Sequence, residues 1–136
     1  MVKAEEIYFK GKDERGLTGE VDSGDRSGKY ILAYRKKGSV SGRHYHKGLV
    51  KEKNPEILFL LQGKVKINYA ALDEAENLLQ MNSKKVNAPA RIEVEKNCWH
   101  EMIFLEDACF LELNSFEQGD KDTFRLNTTN NADKHS

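Results

Sequence analysis

The residues of this chain best suited to chemistry are three histidines and one glutamate: His44, His46, His100 and Glu56. His44 and His46 are separated by one residue in GRHYHK, and on a β-strand positions i and i+2 share a face. Two imidazoles on one face can bind a single metal ion. Left free, either can take up and return a proton near neutral pH. The two roles exclude each other at one nitrogen, because a metal-bound lone pair cannot also accept a proton. Glu56 opens the apolar run EILFLLQ and offers a carboxylate, while His100, in CWHEMIF, offers a third imidazole. The set His44, His46, Glu56 and His100 suits one divalent metal ion, whether Zn, Fe, Mn, Ni or Cu. Each residue also has a plainer reading. HxH is common on exposed strands, Glu56 can be a solvated strand start after Pro55, and His100 can be a hydrogen-bonded core histidine.

The elements that must position these residues read as β-strands. Glycines punctuate the first half at 11, 16, 19, 24, 28, 38, 42 and 48, and short β-rich segments between such turn signals predict an all-β sandwich or barrel. Strands are expected over 6–9, 29–35, 43–47, 56–62, 64–69, 91–94, 98–105 and 109–113. The segment AALDEAENLL, residues 70–79, contains good helix formers but lies between strands, so it is expected to be a hairpin arm or a loop with a helical turn. Strand 56–62 is apolar on both faces: Glu56, Leu58, Leu60 and Gln62 point one way, Ile57, Phe59 and Leu61 the other. A sheet with one face in water does not alternate like this, so either the same chain or a second subunit covers the outer face. A homodimer is the expectation. Around His100, alternation places Cys98, Met102 and Phe104 on the barrel face, an apolar wall, and turns Glu101 outward; Tyr45 and Lys47 alternate away from the histidine pair.

Composition sets the frame. The chain has 136 residues, enough for one domain with a core of its own, with 38% hydrophobic and 32% charged residues. Lys plus Arg and Asp plus Glu balance at 22 each, so no overall basic field draws the protein to nucleic acid or an anionic membrane. No apolar run is long enough for a membrane helix, and Met1 to Lys10 is charged, so a cytoplasmic protein is expected. The two cysteines, Cys98 and Cys109, lack CxxC spacing and read as free buried thiols. A single domain over 1–126 and a polar, flexible tail over 127–136 complete the organisation.

Gly38, five residues, His44, one residue, His46, and then Glu56, six residues, Gly63, resemble the first motif of the cupin superfamily. The nine residues between His46 and Glu56 exceed the family's spacing. The second motif is degenerate: His100 stands in the histidine place, but Glu95, Asn97 and Phe104 stand where the family has proline, glycine and asparagine. KDERG, GSVSGRHYHK, EILFLLQGKVKI, the His100 segment and FEQGDKDTF also run in the order seen in nucleotide-sugar cupins of the RmlC-like group. These are the dTDP-4-dehydrorhamnose 3,5-epimerase-like proteins, the dTDP-sugar ketoisomerases and, most alike, the C-terminal cupin domain of capsular-polysaccharide-assembling proteins. That group carries Arg-Gly before the histidine pair; here Ser41 and Gly42 stand there, with Arg43 one step later.

The resemblance implies a cupin jelly roll, a double-stranded β-helix barrel. It implies a metal-binding cupin acting on a keto-sugar nucleotide in polysaccharide biosynthesis. The reaction would be isomerisation or epimerisation: a base removes a proton next to the carbonyl and an acid returns one. A divalent metal would polarise the carbonyl; without it, His44 or His46 would be the acid/base candidates. Two other classes fit the same residues: a metal-dependent dioxygenase, and a non-catalytic cupin that binds a small molecule.

Overall fold

A computed structural model describes residues 1–126; the tail expected over 127–136 lies outside them. The strands are β1 (Val2–Glu6), β2 (Phe9–Asp13), β3 (Gly16–Gly19), β4 (Ile31–Arg35), β5 (Val40–His44), β6 (Glu56–Gln62), β7 (Lys64–Ala71), β8 (Asn82–Asn87), β9 (Ala90–Val94), β10 (Cys98–Phe104) and β11 (Ala108–Glu112), followed by helix α1 (Phe116–Lys121). They form a five-stranded sheet in the order β1-β9-β6-β11-β4 and a four-stranded sheet in the order β5-β10-β7-β8, with β2-β3 as a separate hairpin. The pairings between neighbouring strands are antiparallel. The expected all-β jelly roll is what the chain forms.

The period of two decides what fills the barrel. Leu58 and Leu60 of β6, Ile92 and Val94 of β9, Val65 and Ile67 of β7, Met102 and Phe104 of β10 and Phe110 of β11 share one buried cluster. Burying a side chain of this size stabilises the fold by roughly 1.5–3 kcal/mol. The same alternation carries Glu56, His100 and Glu112 inward at the ends of their strands, so the barrel has an apolar body and one polar end. At the opposite end Gly63 closes the β6–β7 turn with a φ of +96°, and a Cβ there would lie 2.5 Å from the Asp107 carbonyl oxygen, which leaves glycine as the residue that fits.

Several sequence expectations shift. β5 ends at His44, not at Lys47, so His46 lies beyond the strand. Gly42 and Arg43 both have positive φ (91° and 63°), and the register with β10 slips between His100 and Glu101. The helical turn considered for 70–79 is absent. β7 runs on to Ala71, and Asp73 Oδ1 accepts the backbone N–H groups of Ala75 and Asn77, which fixes a tight hairpin loop. The polar strands β2, β3 and β8 had no hydrophobic alternation to announce them.

The outer face of β6 is covered by its own chain. Ile57 and Phe59 are buried with Leu113, against Ile7 and Leu111. Leu32, Tyr34 and Leu61 remain exposed on the same sheet.

Candidate active site

The polar end of the barrel brings the three histidines together. His44 and His100 are direct cross-strand partners on β5 and β10. Ring centroids lie 4.9 Å apart for His44–His46, 4.9 Å for His44–His100 and 5.4 Å for His46–His100. His46 and His100 are buried, and His44 is largely so. His46 is held by a residue 76 positions away: its Nδ1–H donates to the Asp122 carbonyl at 2.6 Å. The Asp122 carboxylate in turn accepts the backbone N–H groups of Lys47 and Leu49, so the end of α1 ties down the loop that follows the histidine pair. His100 Nδ1–H donates to the Cys98 carbonyl at 3.0 Å. His44 Nδ1 is buried and has no partner among the described residues.

Glu56 joins this cluster, but not as a free ligand. The nine residues between His46 and Glu56 carry Lys53 into the interior. Its ammonium lies 2.5 Å from Glu56 Oε2 and 3.7 Å from Glu112 Oε2. Glu56 Oε2 is also 2.9 Å from His46 Nε2, in polar contact but not aligned for a hydrogen bond. Burial alone would raise the Glu56 pKa; the Lys53 ammonium, and then His46, outweigh it and hold the carboxyl well below its usual range. Burial likewise opposes charge on Lys53, yet Glu56 and Glu112 together raise its pKa.

The expectation of one divalent metal ion is corrected here. The three histidines each bring a ring nitrogen within 4.8 Å of the others. The fourth expected ligand, Glu56, is instead neutralised by a buried ammonium, whose positive charge opposes a cation in the same pocket. The epimerases and ketoisomerases that share this fold act without a metal ion. The four-ligand set expected for the ion is therefore not what these residues form.

Two of the three imidazoles, His44 and His100, are held neutral. Burial pushes His100 from 6.5 down to about 4, and burial, with His100 and His46 beside it, pushes His44 well below 6.5. These shifts imply a pH dependence of stability. The unfolded chain protonates these histidines near their ordinary pKa, whereas the folded chain resists until much lower pH. Their contribution is complete above about pH 6.5 and is lost as pH falls toward about 4, by about 3 kcal/mol for His100. Glu56 extends the loss at lower pH, since its depressed pKa favours the folded state only while it is ionised. The urea midpoint should fall between about pH 7.5 and about pH 5, and His100→Gln should flatten that fall. An equal midpoint at both pH values would mean the imidazoles are not held neutral.

The cluster opens on a cavity of about 620 Å³. His44, Lys53 and Glu112 line it, together with Arg35, Arg43 and Arg125. Arg35 reaches from β4, donates from Nε to Ser41 Oγ at 2.9 Å and lies over the Phe110 ring. Arg35 thus brings a guanidinium into contact with Ser41, the residue that stands in place of the arginine the resemblance implies. Arg43 Nε donates to Glu101 Oε2 at 3.1 Å, and Arg125 donates to the Arg43 carbonyl at 3.4 Å. Arg125 Nε is buried without a partner among the described residues. As expected, Tyr45 and Lys47 turn away: both meet Glu76, at 2.7 Å and 3.0 Å. Cys98 and Cys109 are free and buried.

The fold is the cupin jelly roll found in RmlC-like proteins. No family model matches the chain, and no curated protein does. Solved structures do. The QdtA 3,4-ketoisomerase from Thermoanaerobacterium thermosaccharolyticum, in complex with TDP, is 25% identical with a TM-score of 0.67, over 92% of this chain and 87% of that one. A 3,4-ketoisomerase from Helicobacter canadensis is 22% identical with a TM-score of 0.66, over 92% and 90%. The dTDP-4-dehydrorhamnose 3,5-epimerase from Sulfolobus tokodaii is 14% identical with a TM-score of 0.70, over 94% and 78%.

Proposed function

We propose that this chain isomerises or epimerises a keto-sugar nucleotide by proton transfer, without a metal. The observation that carries this reading is the cavity itself: a largely buried, neutral His44 stands on the same wall system as three guanidiniums. A neutral imidazole can take a proton from the carbon beside a carbonyl. Guanidiniums bind a diphosphate through paired N–H donors. The Lys53 ammonium offers positive charge where an enediolate oxygen develops, in a site shielded from water. Among the solved structures, the ketoisomerases match this chain over nearly their full length, which favours 3,4-isomerisation over 3,5-epimerisation.

The test uses TDP-4-keto-6-deoxyglucose, the ligand of one structural neighbour, incubated with the protein in D₂O and followed by proton NMR. Enzyme-dependent deuterium at the sugar C3 or C4, with a new keto-sugar, is the expected result; deuterium at C3 and C5 without carbonyl migration would mean epimerisation. No incorporation into any keto-sugar nucleotide, with a thermal shift by dTDP retained, would leave a non-catalytic binding cupin.

The functional unit in this reading is the single domain over 1–126, acting in the cytoplasm as a homodimer. Leu32, Tyr34 and Leu61, exposed on one sheet face, are the surface the second copy would cover. Sedimentation showing a monomer at micromolar concentration would rule the dimer out.

A further inference from the structure

Proton transfer between two carbons, or between two faces of one carbon, needs a group that gives a proton as well as one that takes it. The histidine cluster supplies the taker. Among the described residues lining the cavity there is no tyrosine, so no phenol is placed to give one. Glu112 is. It ends β11, faces inward with Phe110 two residues earlier, and lines the cavity from the five-stranded sheet while His44 lines it from the four-stranded sheet. Its side chain is 22% exposed, enough for solvent to restore a proton after each turnover.

The neighbouring charges sort the two carboxyls of the cluster into different states. Glu56 and Glu112 share one ammonium, and Lys53 stands 2.5 Å from the first and 3.7 Å from the second. The nearer carboxylate takes the negative charge. Burial, and then the Glu56 charge, raise the Glu112 pKa, while Lys53, His46 and a hydrogen bond from Asn114 act in the opposite sense without reversing it. Two carboxyls pushed apart in this way are the arrangement that separates an acid from a base in one site.

We propose that Glu112 is the proton donor of this site, working across the cavity from His44. The proposal rests on the sugar-nucleotide reading. His44 takes the proton from the carbon beside the carbonyl; that C–H pair becomes the C=C bond of an enediolate as the carbonyl oxygen takes the negative charge. The enediolate hydroxyl passes its proton to that oxygen. The electrons then close the new carbonyl, and the former carbonyl carbon takes the proton of the Glu112 carboxyl. In epimerisation the same proton goes to the opposite face of the original carbon. The sugar leaves as an isomer of unchanged composition, and solvent returns a proton to Glu112 as His44 releases one.

Glu112→Gln keeps the shape of the side chain and removes the acidic proton. Product formation should fall roughly 100-fold or more while deuterium exchange at the carbon served by His44 continues and KM is unchanged. Glu112→Asp should recover part of the lost rate. In parent protein carrying carboxyl-¹³C glutamate, the resonance missing from Glu112→Asp should titrate above the ordinary glutamate range, a readout that does not depend on activity. Product formed by Glu112→Gln at the parent rate, or a Glu112 resonance titrating below that range, would overturn the proposal while the function stands. A parent inactive on every keto-sugar nucleotide would overturn both.

Discussion

His44→Asn should lower turnover of TDP-4-keto-6-deoxyglucose by roughly 10²–10⁴-fold, the usual contribution of a positioned general base. The argument is geometric first. His44 lines the cavity, whereas His46 and His100 each spend Nδ1 on a backbone carbonyl, at 2.6 Å and 3.0 Å. His44 Nδ1 makes no such bond. Burial and the two neighbouring imidazoles keep the ring neutral, so its lone pair is available near pH 7. Asn cannot take a proton but retains polarity and much of the volume. The loss should therefore fall on kcat and not on KM, because Arg35, Arg43 and Arg125, the proposed nucleotide-binding residues, still line the cavity. Deuterium wash-in should disappear with turnover, unlike in Glu112→Gln, where the abstraction step survives. Turnover by His44→Asn within a few-fold of the parent would move the base elsewhere. The same loss in His46→Asn, with a preserved melting temperature, would place it at His46.

Lys53→Met should destabilise the fold by about 3–5 kcal/mol, the cost of breaking a buried ion pair from one side. Lys53 and Glu56 are both 3% exposed, so neither can turn to water when its partner is lost. Methionine fills most of the space but leaves Glu56 without its ammonium, with the His46 ring 2.9 Å away. The carboxyl must then protonate or stay buried and charged, and either outcome costs stability. For a domain of this size the melting temperature should drop by roughly 10–20 °C. Pairing the change with Glu56→Gln removes the stranded charge and should recover much of the loss, because contacting residues are not additive. A drop below about 1 kcal/mol in Lys53→Met would show that the ammonium is not bound between the two carboxylates.

Much of the fold was legible in the chain because its cause is local. The short apolar run EILFLLQ and the alternation in CWHEMIF both mark strands by themselves, and those segments form β6 and β10. The hairpin β2-β3 and strand β8 were not legible. KDERG and NSKKVN carry turn and charge signals, and their pairing is decided by neighbouring strands, not by their own composition. The two-faced β6 showed that its outer side had to be covered. It did not show that Ile7 and Leu113 of the same chain do so.

The site divides in the same way. HxH spacing and the resemblance to the cupin motifs were enough to group His44, His46, Glu56 and His100; strand alternation was not, because β5 ends at His44 and His46 lies beyond it. The long stretch before Glu56 read as a bulge; only the tertiary structure decided that it delivers Lys53 to the carboxylate, which breaks up the expected metal-ligand set. Glu112 and Asp122 were likewise invisible, because one lines the cavity from the sheet opposite His44 and the other is 76 residues from His46. Sequence records which side chains share a strand face. Which charges share a buried pocket depends on loops and opposing sheets closing over it, and in a low-dielectric interior those charges set every protonation state.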